Sequence, residues 1–267
     1  MTEINNLTPG KVTICVVNYK TEELTRLCLR SIRKFTDFPY EVIVVDNDSG
    51  DSSLEYLRSL SWIKLIERPG EMKDSGSWAH GTALDKGLEA CSTEFFMPMH
   101  SDTFVHKKGW LRDMVSYCHK DIACVGGGKL DLKPRWELLL KRCTDVKKLI
   151  RKLKNKGKRD DFYVRTICAL FRTDVLFREN LRFAMNVDKY TCGKSLYYEL
   201  LDRGYKSKVL DPFKMAEYID HLAHATMVLN PEFKVRDRTD KKCRQHIQKV
   251  FDSSLVKEIM ADNSLDN

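Results

Sequence analysis

Residues 41–51, EVIVVDNDSGD, constrain the fold more than any other stretch: the apolar residues Val42, Ile43, Val44 and Val45 run straight into carboxylates at Asp46, Asp48 and Asp51. A short run rich in Val and Ile, with no polar alternation, suits a parallel strand covered by helices on both faces. Open α/β sheets bind ligands just beyond the carboxyl ends of such strands, which places Asp46 where a ligand sits. The pattern recurs at 11–18 (KVTICVVN), ending in Asn18 and Tyr19, and at 94–99 (EFFMPM), ending in His100, Ser101 and Asp102. Three strand tips thus offer polar groups to one cleft.

Between the first two runs, Leu24, Leu27, Cys28, Ser31, Ile32 and Phe35 recur at three- and four-residue spacing, one buried face of a helix over 21–38. Thr21 is a candidate N-cap, and Pro39 stands just past the stop. A second helix begins near Ser53, and residues 63–66 form a third strand. Strand, helix, strand, helix in this order predicts α/β with right-handed crossovers. Residues 66–81 form a loop rich in turn formers at the carboxyl edge, where long loops serve function. Further strands are expected at 122–128, ending in three glycines, and at 161–171, with a helix over 188–203 stopped by a left-handed Gly204. The glycines lack the spacing and following residues of a phosphate-binding loop.

These residues resemble family 2 glycosyltransferases of the GT-A fold, a mostly parallel, Rossmann-like sheet flanked by helices. The resemblance rests on residues 12–19, the helix with LCLRSI at 27–32, the tip VVDNDSGD at 44–51, GTALDKGLEA at 81–90 and HSDT at 100–103. It covers residues 11–130 well and 160–230 loosely. It implies transfer of a sugar, with inversion, from a nucleotide-diphosphate-sugar donor to a carbohydrate or lipid-linked acceptor, set in bacterial surface polysaccharide or lipopolysaccharide synthesis. It further implies that Asp46 accepts hydrogen bonds from the nucleotide base, that Asn18 and Tyr19 line the same pocket, and that His80 and Asp85 are candidates for contacting the nucleotide. An Asp-X-Asp motif in relatives holds a divalent metal, Mn2+ or Mg2+, on the diphosphate. Here the motif reads His100-Ser101-Asp102, so histidine replaces the first acid. His221, in a YIDHLAHAT segment, matches a late histidine that returns to the metal or diphosphate.

Charge neutralisation on a diphosphate leaving group asks for such a cation in any case. The relatives' general base is an acidic pair. Cys192 and Gly193 stand where that pair aligns, which leaves Asp188 as the nearest acid able to deprotonate the acceptor hydroxyl. Plainer roles stand beside these: Asp48 and Asp51 as turn and cap residues, His80 and Asp188 as helix-start residues, Asp85 as a solvated acid, and His100 bonded to a neighbouring carbonyl. A non-catalytic nucleotide- or membrane-binding protein on a degenerate GT-A fold is the alternative function, supported by His100 and the Cys192-Gly193 pair.

Residues 133–159 interleave twelve Lys and Arg with Leu, Ile, Val and Trp and are enough to account for the net charge of +8. An amphipathic basic helix lying on an anionic membrane and a solvated insertion are equal readings. Nucleic-acid binding has thin support, because the run lacks stacking aromatics or a recognised module. Residues 1–235 are therefore expected to form one GT-A domain with a basic helical insertion at about 133–159, followed by a C-terminal helical tail at 236–267. With 267 residues, 42% of them hydrophobic, the chain can bury one full core. Nine cysteines without metal-type spacing suit reduced thiols, and no apolar run reaches membrane-spanning length. With a polar Met1–Gly10 region in place of a leader, these features predict a cytoplasmic protein, peripheral on the inner face of the plasma membrane if the basic segment binds lipid.

Overall fold

The computed structural model describes residues 6–70, 76–119, 121–128 and 163–267. The basic segment 133–159 lies outside the described residues.

Strands β1 (Thr8–Asn18), β2 (Tyr40–Asp46) and β3 (Ile63–Glu67) alternate with helices α1 (Glu22–Phe35) and α2 (Ser52–Ser59). Next come α3 (Gly76–Glu89), β4 (Thr93–His100), the short β5 (Thr103–Val105), α4 (Trp110–Ser116) and β6 (Ile122–Gly127). The chain continues through β7 (Ala169–Arg172), α5 (Thr173–Arg178), α6 (Lys194–Asp202), β8 (Lys206–Leu210), α7 (Pro212–Met215) and β9 (Ile219–His221). It finishes with α8 (Ala225–Leu229), α9 (Asp237–Phe251), α10 (Ser254–Ala261) and a 3-10 turn at Asn263–Asp266.

The described strands form a seven-stranded sheet in the order β3-β2-β1-β4-β7-β6-β8. Only β7 runs antiparallel to its neighbours. The apolar runs end up where their lack of alternation required, because both faces are covered. On β1, Val12, Ile14 and Val16 pack with α1, α2 and α4, while Cys15 and Val17 point to α3, α5 and α6. Residues 42–45 of β2 are at most 2% exposed, and full burial of such side chains stabilises by about 1.5–3 kcal/mol each. The cysteines among the described residues are all free. No helix among those residues is long and apolar enough to cross a membrane.

Local details differ from expectation in several places. A helix, α3, begins at Gly76 inside the expected 66–81 loop, and the helix expected over 188–203 begins only at Lys194. Thr21 precedes α1, but its side chain makes no cap bond. Its hydroxyl lies 3.3 Å from Thr25 Oγ1 and 3.5 Å from both Asn18 Oδ1 and Ser101 Oγ, drawn into the polar network at the β1 tip. The strand expected at 161–171 begins only at Ala169, preceded by a buried loop that bridges β4 and β6 through Ile167 O to His100 N and Arg165 N to Gly127 O. An apolar run reads alike in a buried loop and a buried strand. Elsewhere Asp51 caps α2 by accepting from Ser53 N at 3.1 Å, and Gly204 has the left-handed φ of 82° expected past α6.

The charged tail covers α1. Val256 and Ile259 of α10 pack on Leu27, while Cys243 of α9 packs beside Leu24. The guanidinium of Arg30, 1% exposed, reaches out of α1 to Asp266, Asn263 and the carbonyls of Ile259 and Met260.

Candidate functional site

Strand register assembles the site. Asn18 pairs with Asp46 across β1 and β2, and Val17 pairs with His100 across β1 and β4. The tips of β2 and β4 therefore flank that of β1, two strand spacings apart, roughly 10 Å. A second ladder completes the arrangement. β5 and β9 pair antiparallel with Thr103 opposite His221, and Leu222 N donates to Asp102 O at 2.8 Å.

On the β4 side, His221 Nε2 lies 3.2 Å and His100 Nδ1 3.7 Å from Asp102 Oδ1. One ligating atom from each of the three residues lies within 4.8 Å of the others. Asp102 and His221 are 6% and 7% exposed. Asp102 Oδ1, His221 Nδ1 and His80 Nε2 are buried with no hydrogen-bond partner among the described residues, although buried polar atoms are normally satisfied. The His80 ring meets that of His100 edge-on at 4.9 Å, and the His100 ring meets that of His221 at 5.6 Å.

Electrostatics keep these groups in the form that binds cations. Burial pushes His80 down to about 4, and burial followed by the neighbouring His80 holds His100 well below the usual histidine range, so both rings are neutral near pH 7. For Asp102, burial works to raise the pKa. The adjacent His221 outweighs it and, with His100, holds the carboxyl below its ordinary range. The imidazoles of His100 and His221 converging on an ionised carboxylate are a chemically sound donor set for a divalent cation.

On the β2 side, Asp46 is 1% exposed and turned inward. Its Oδ1 accepts from Asn18 Nδ2 at 2.7 Å and from Ser49 Oγ at 2.6 Å, and its Oδ2 accepts from Ser49 N at 3.0 Å. Asn18 is a hub that also donates to Ser53 Oγ and accepts from Thr25 Oγ1. The pair thus braces the β1 and β2 tips and the 47–51 turn. Arg68, buried beyond β3, donates to Asn47 Oδ1 at 2.6 Å, Ala79 O at 3.2 Å and Thr82 Oγ1 at 3.0 Å, tying that turn to α3.

The remaining candidates are dispersed. Tyr19 donates to Glu232 Oε1 at 2.7 Å, which links the β1–α1 loop to the chain after α8. Asp85 accepts from the backbone N–H groups of Phe183 and Ala184 at 2.6 and 3.0 Å. Burial pushes its pKa up to about 6 against the pull of those two bonds. It is thus an anchor for the segment before α6 rather than the solvated acid of the plainer expectation. Asp188 is exposed in a run of turns ahead of α6, and Cys192 is buried at the foot of that helix. His224, exposed with a left-handed φ of 71°, stands outside the cluster.

Thr166 was invisible to motif reasoning. Its Oγ1 lies 3.4 Å from His100 Nε2, and its Cγ2 fills the space at Gly193, where an added Cβ would come within 2.7 Å of it. Only the buried loop ahead of β7 delivers it, and no spacing in the sequence announces that loop. Ser49 and Arg68 were missed for the same reason, since both act through turn geometry.

Residues 13–177, well over half the chain, match the family model of Glycosyl transferase family 2. The chain belongs to this family. A curated relative, named Putative glycosyltransferase EpsH, from Bacillus subtilis (strain 168), is 31% identical over 98 residues, covering 35% of this chain and 26% of its own. Among solved structures, the mannosyltransferase PcManGT from Pyrobaculum calidifontis, in complex with GDP-Man and Mn2+, superposes with a TM-score of 0.55 at 20% identity, over 74% of this chain and 54% of its own. TarS 1-349 of S. aureus in complex with UDP-GlcNAc has a TM-score of 0.48 at 16% identity, over 94% of this chain and 71% of its own. The chain thus spans about a quarter of the curated relative and about half of the mannosyltransferase. Its α/β architecture is that of GT-A glycosyltransferases. In this family 2 chain, His100 stands at the end of β4 and Cys192-Gly193 at the foot of α6.

Proposed function

We propose that this chain is a metal-dependent, inverting glycosyltransferase that moves a sugar from a nucleotide-diphosphate-sugar to an acceptor hydroxyl. The observation that carries the reading is the convergence of His100, Asp102 and His221 at strand tips beside the β1–β2 tip, in a family 2 chain. The three side chains would hold the ion, and the orphaned Asp102 Oδ1 supports that fit. When bound there, a divalent cation would neutralise charge on the diphosphate as the sugar bond breaks.

The rest falls to the chain's own residues. Asn18, Tyr19 and Asp46 would frame the nucleotide, with His80 on the α3 side; Asp85, expected to contact the nucleotide, is instead committed to Phe183 and Ala184. Asp46 Oδ2 accepts one bond and retains acceptor capacity, so a base N–H reaches it if the 47–51 turn shifts; that turn holds left-handed φ values of 59° at Asp48 and at Gly50. Asp188, exposed before α6, would take the acceptor proton. A nucleotide-sugar donor is in keeping with the GDP-Man named for PcManGT. The carbohydrate or lipid-linked acceptor and the setting in bacterial surface polysaccharide or lipopolysaccharide synthesis follow the family resemblance. For residues 133–159 the proposed partner is an anionic membrane surface, placing the protein on the cytoplasmic face. Vesicle sedimentation with and without that segment tests this, and equal binding removes it.

The experiment for the main reading is a donor panel, UDP- and GDP-sugars with and without Mn2+, read first by thermal shift and then by nucleotide release with acceptor. Metal-dependent stabilisation and release support transfer. A second reading, a non-catalytic binder on the same fold, is favoured by Cys192-Gly193 at the base position. Binding without any release would select it.

A further inference from the structure

We propose that the cluster of His100, Asp102 and His221 is a nitrogen-rich centre selecting an imidazole-preferring first-row divalent ion over magnesium, and that Thr166 is the positioning residue turning His100 Nδ1 toward it. This rests on reading the cluster as a metal site but not on sugar transfer itself.

Geometry comes first. Metal–ligand bonds of ~2.1 Å separate ligand atoms around one ion by ~3–4 Å. The Asp102 Oδ1 separations, 3.2 Å to His221 and 3.7 Å to His100, lie in that window. Donor chemistry comes second. Magnesium is a hard ion that takes oxygen ligands and keeps its waters, whereas imidazole suits cobalt, nickel and zinc. Two of the three donors here are imidazoles. A third, His80, leaves a buried Nε2 without a described partner beside the His100 ring, so the surroundings add nitrogen rather than oxygen.

Thr166 adds the orientation. A neutral imidazole carries one N–H, and ligating histidines donate the other ring nitrogen's N–H to an outer partner that sets the tautomer. His100 Nε2 faces Thr166 Oγ1 at 3.4 Å, while Nδ1 faces Asp102. Donation from Nε2 to the hydroxyl leaves the Nδ1 lone pair on the ion side. Gly193 makes this possible, because a Cβ there would displace the Thr166 methyl. Gly193 therefore serves to seat Thr166.

The test is competitive binding to chelator-stripped protein, with Co2+ followed by its visible absorption and Mg2+ as competitor. Wild type is expected to resist Mg2+, and His100→Asp to lose at least about 10-fold in the ratio of Co2+ to Mg2+ affinity. Thr166→Val should weaken Co2+ binding about 10-fold, with recovery in Thr166→Ser. Circular dichroism confirms folding of each variant, and the two threonine variants, which keep every ligand, test the idea independently if His100→Asp misfolds. An unchanged ratio in folded His100→Asp, or no Co2+ bound by wild type, overturns the selectivity. Equal Co2+ affinity in Thr166→Val and wild type overturns the positioning role. Selective Co2+ binding without transfer from any donor would support this inference while sinking the transferase reading. Transfer with equal Mg2+ and Co2+ affinities would do the reverse.

Discussion

Asp102 and His221 meet because the β5–β9 ladder sets Thr103 opposite His221, leaving Asp102 Oδ1 3.2 Å from His221 Nε2. Removing the charge while keeping the shape separates function from folding. Asp102→Asn is expected to lower transfer by about 10²–10³-fold, the scale of losing one preorganised electrostatic partner, and to weaken metal binding. Its melting temperature should fall modestly, because the interaction with His221 that outweighs the burial of the carboxylate is lost together with that burial cost. Steady-state kinetics with calorimetric metal titration check this. Transfer at the wild-type rate would remove Asp102 from the reaction.

Asn18 bonds Asp46, Ser53 and Thr25 at once, so its loss is felt as stability before function. Asn18→Ala leaves a buried carboxylate oxygen short of a donor and a threonine hydroxyl short of an acceptor, expected to cost about 2–4 kcal/mol, or roughly 5–10 °C in melting temperature. Asn18→Asp should be worse above the carboxylate range, since it sets a second acid against Asp46. Thermal melts at pH 5 and pH 8 read both effects. A melting temperature within 2 °C of wild type for Asn18→Ala would show that the hub contributes little, roughly the scale of one exposed bond.

What was legible follows from where the information resides. The runs at 11–18, 42–45 and 94–99 are apolar without alternation, so burial on both faces, parallel pairing and polar tips could be read directly. His100, Asp102 and His221 were legible as a set through the family resemblance, but their distances depend on a two-strand ladder of three residues each, too short to leave a periodic signal. Asp46 illustrates the limit. Its place at a strand tip could be read, whereas its inward turn toward Ser49 depends on the backbone of 47–51. Thr166 and Arg68 were not legible because each acts through a loop whose path is decided by packing.

Asp188 is the base in the proposed mechanism, and its exposure ahead of α6 makes it a clean target. Asp188→Asn should reduce transfer to acceptor by about 10²–10⁴-fold, the range for a positioned general base, while leaving nucleotide affinity and melting temperature unchanged. Single-turnover transfer beside donor binding separates the two. A variant that transfers normally would return the base to another residue and leave the donor half of the mechanism intact.

The Arg30–Asp266 pair gives the tail an acid-sensitive attachment. Burial works to raise the Asp266 pKa, but the Arg30 guanidinium and the Tyr56 hydroxyl outweigh it and hold the carboxyl below its ordinary value of 3.8. The unfolded chain therefore binds the proton more readily than the folded one. Stability from this pair is present above the unfolded value and is lost as pH falls through the folded one, starting below about pH 5. Asp266→Asn should be less stable at pH 7 by about 2–3 kcal/mol, because Arg30 stays buried with only Asn263 and carbonyl partners. The gap should narrow as pH falls toward 3. Denaturant melts across pH 3–7 give both curves, and parallel curves would show that the pair carries no acid sensitivity.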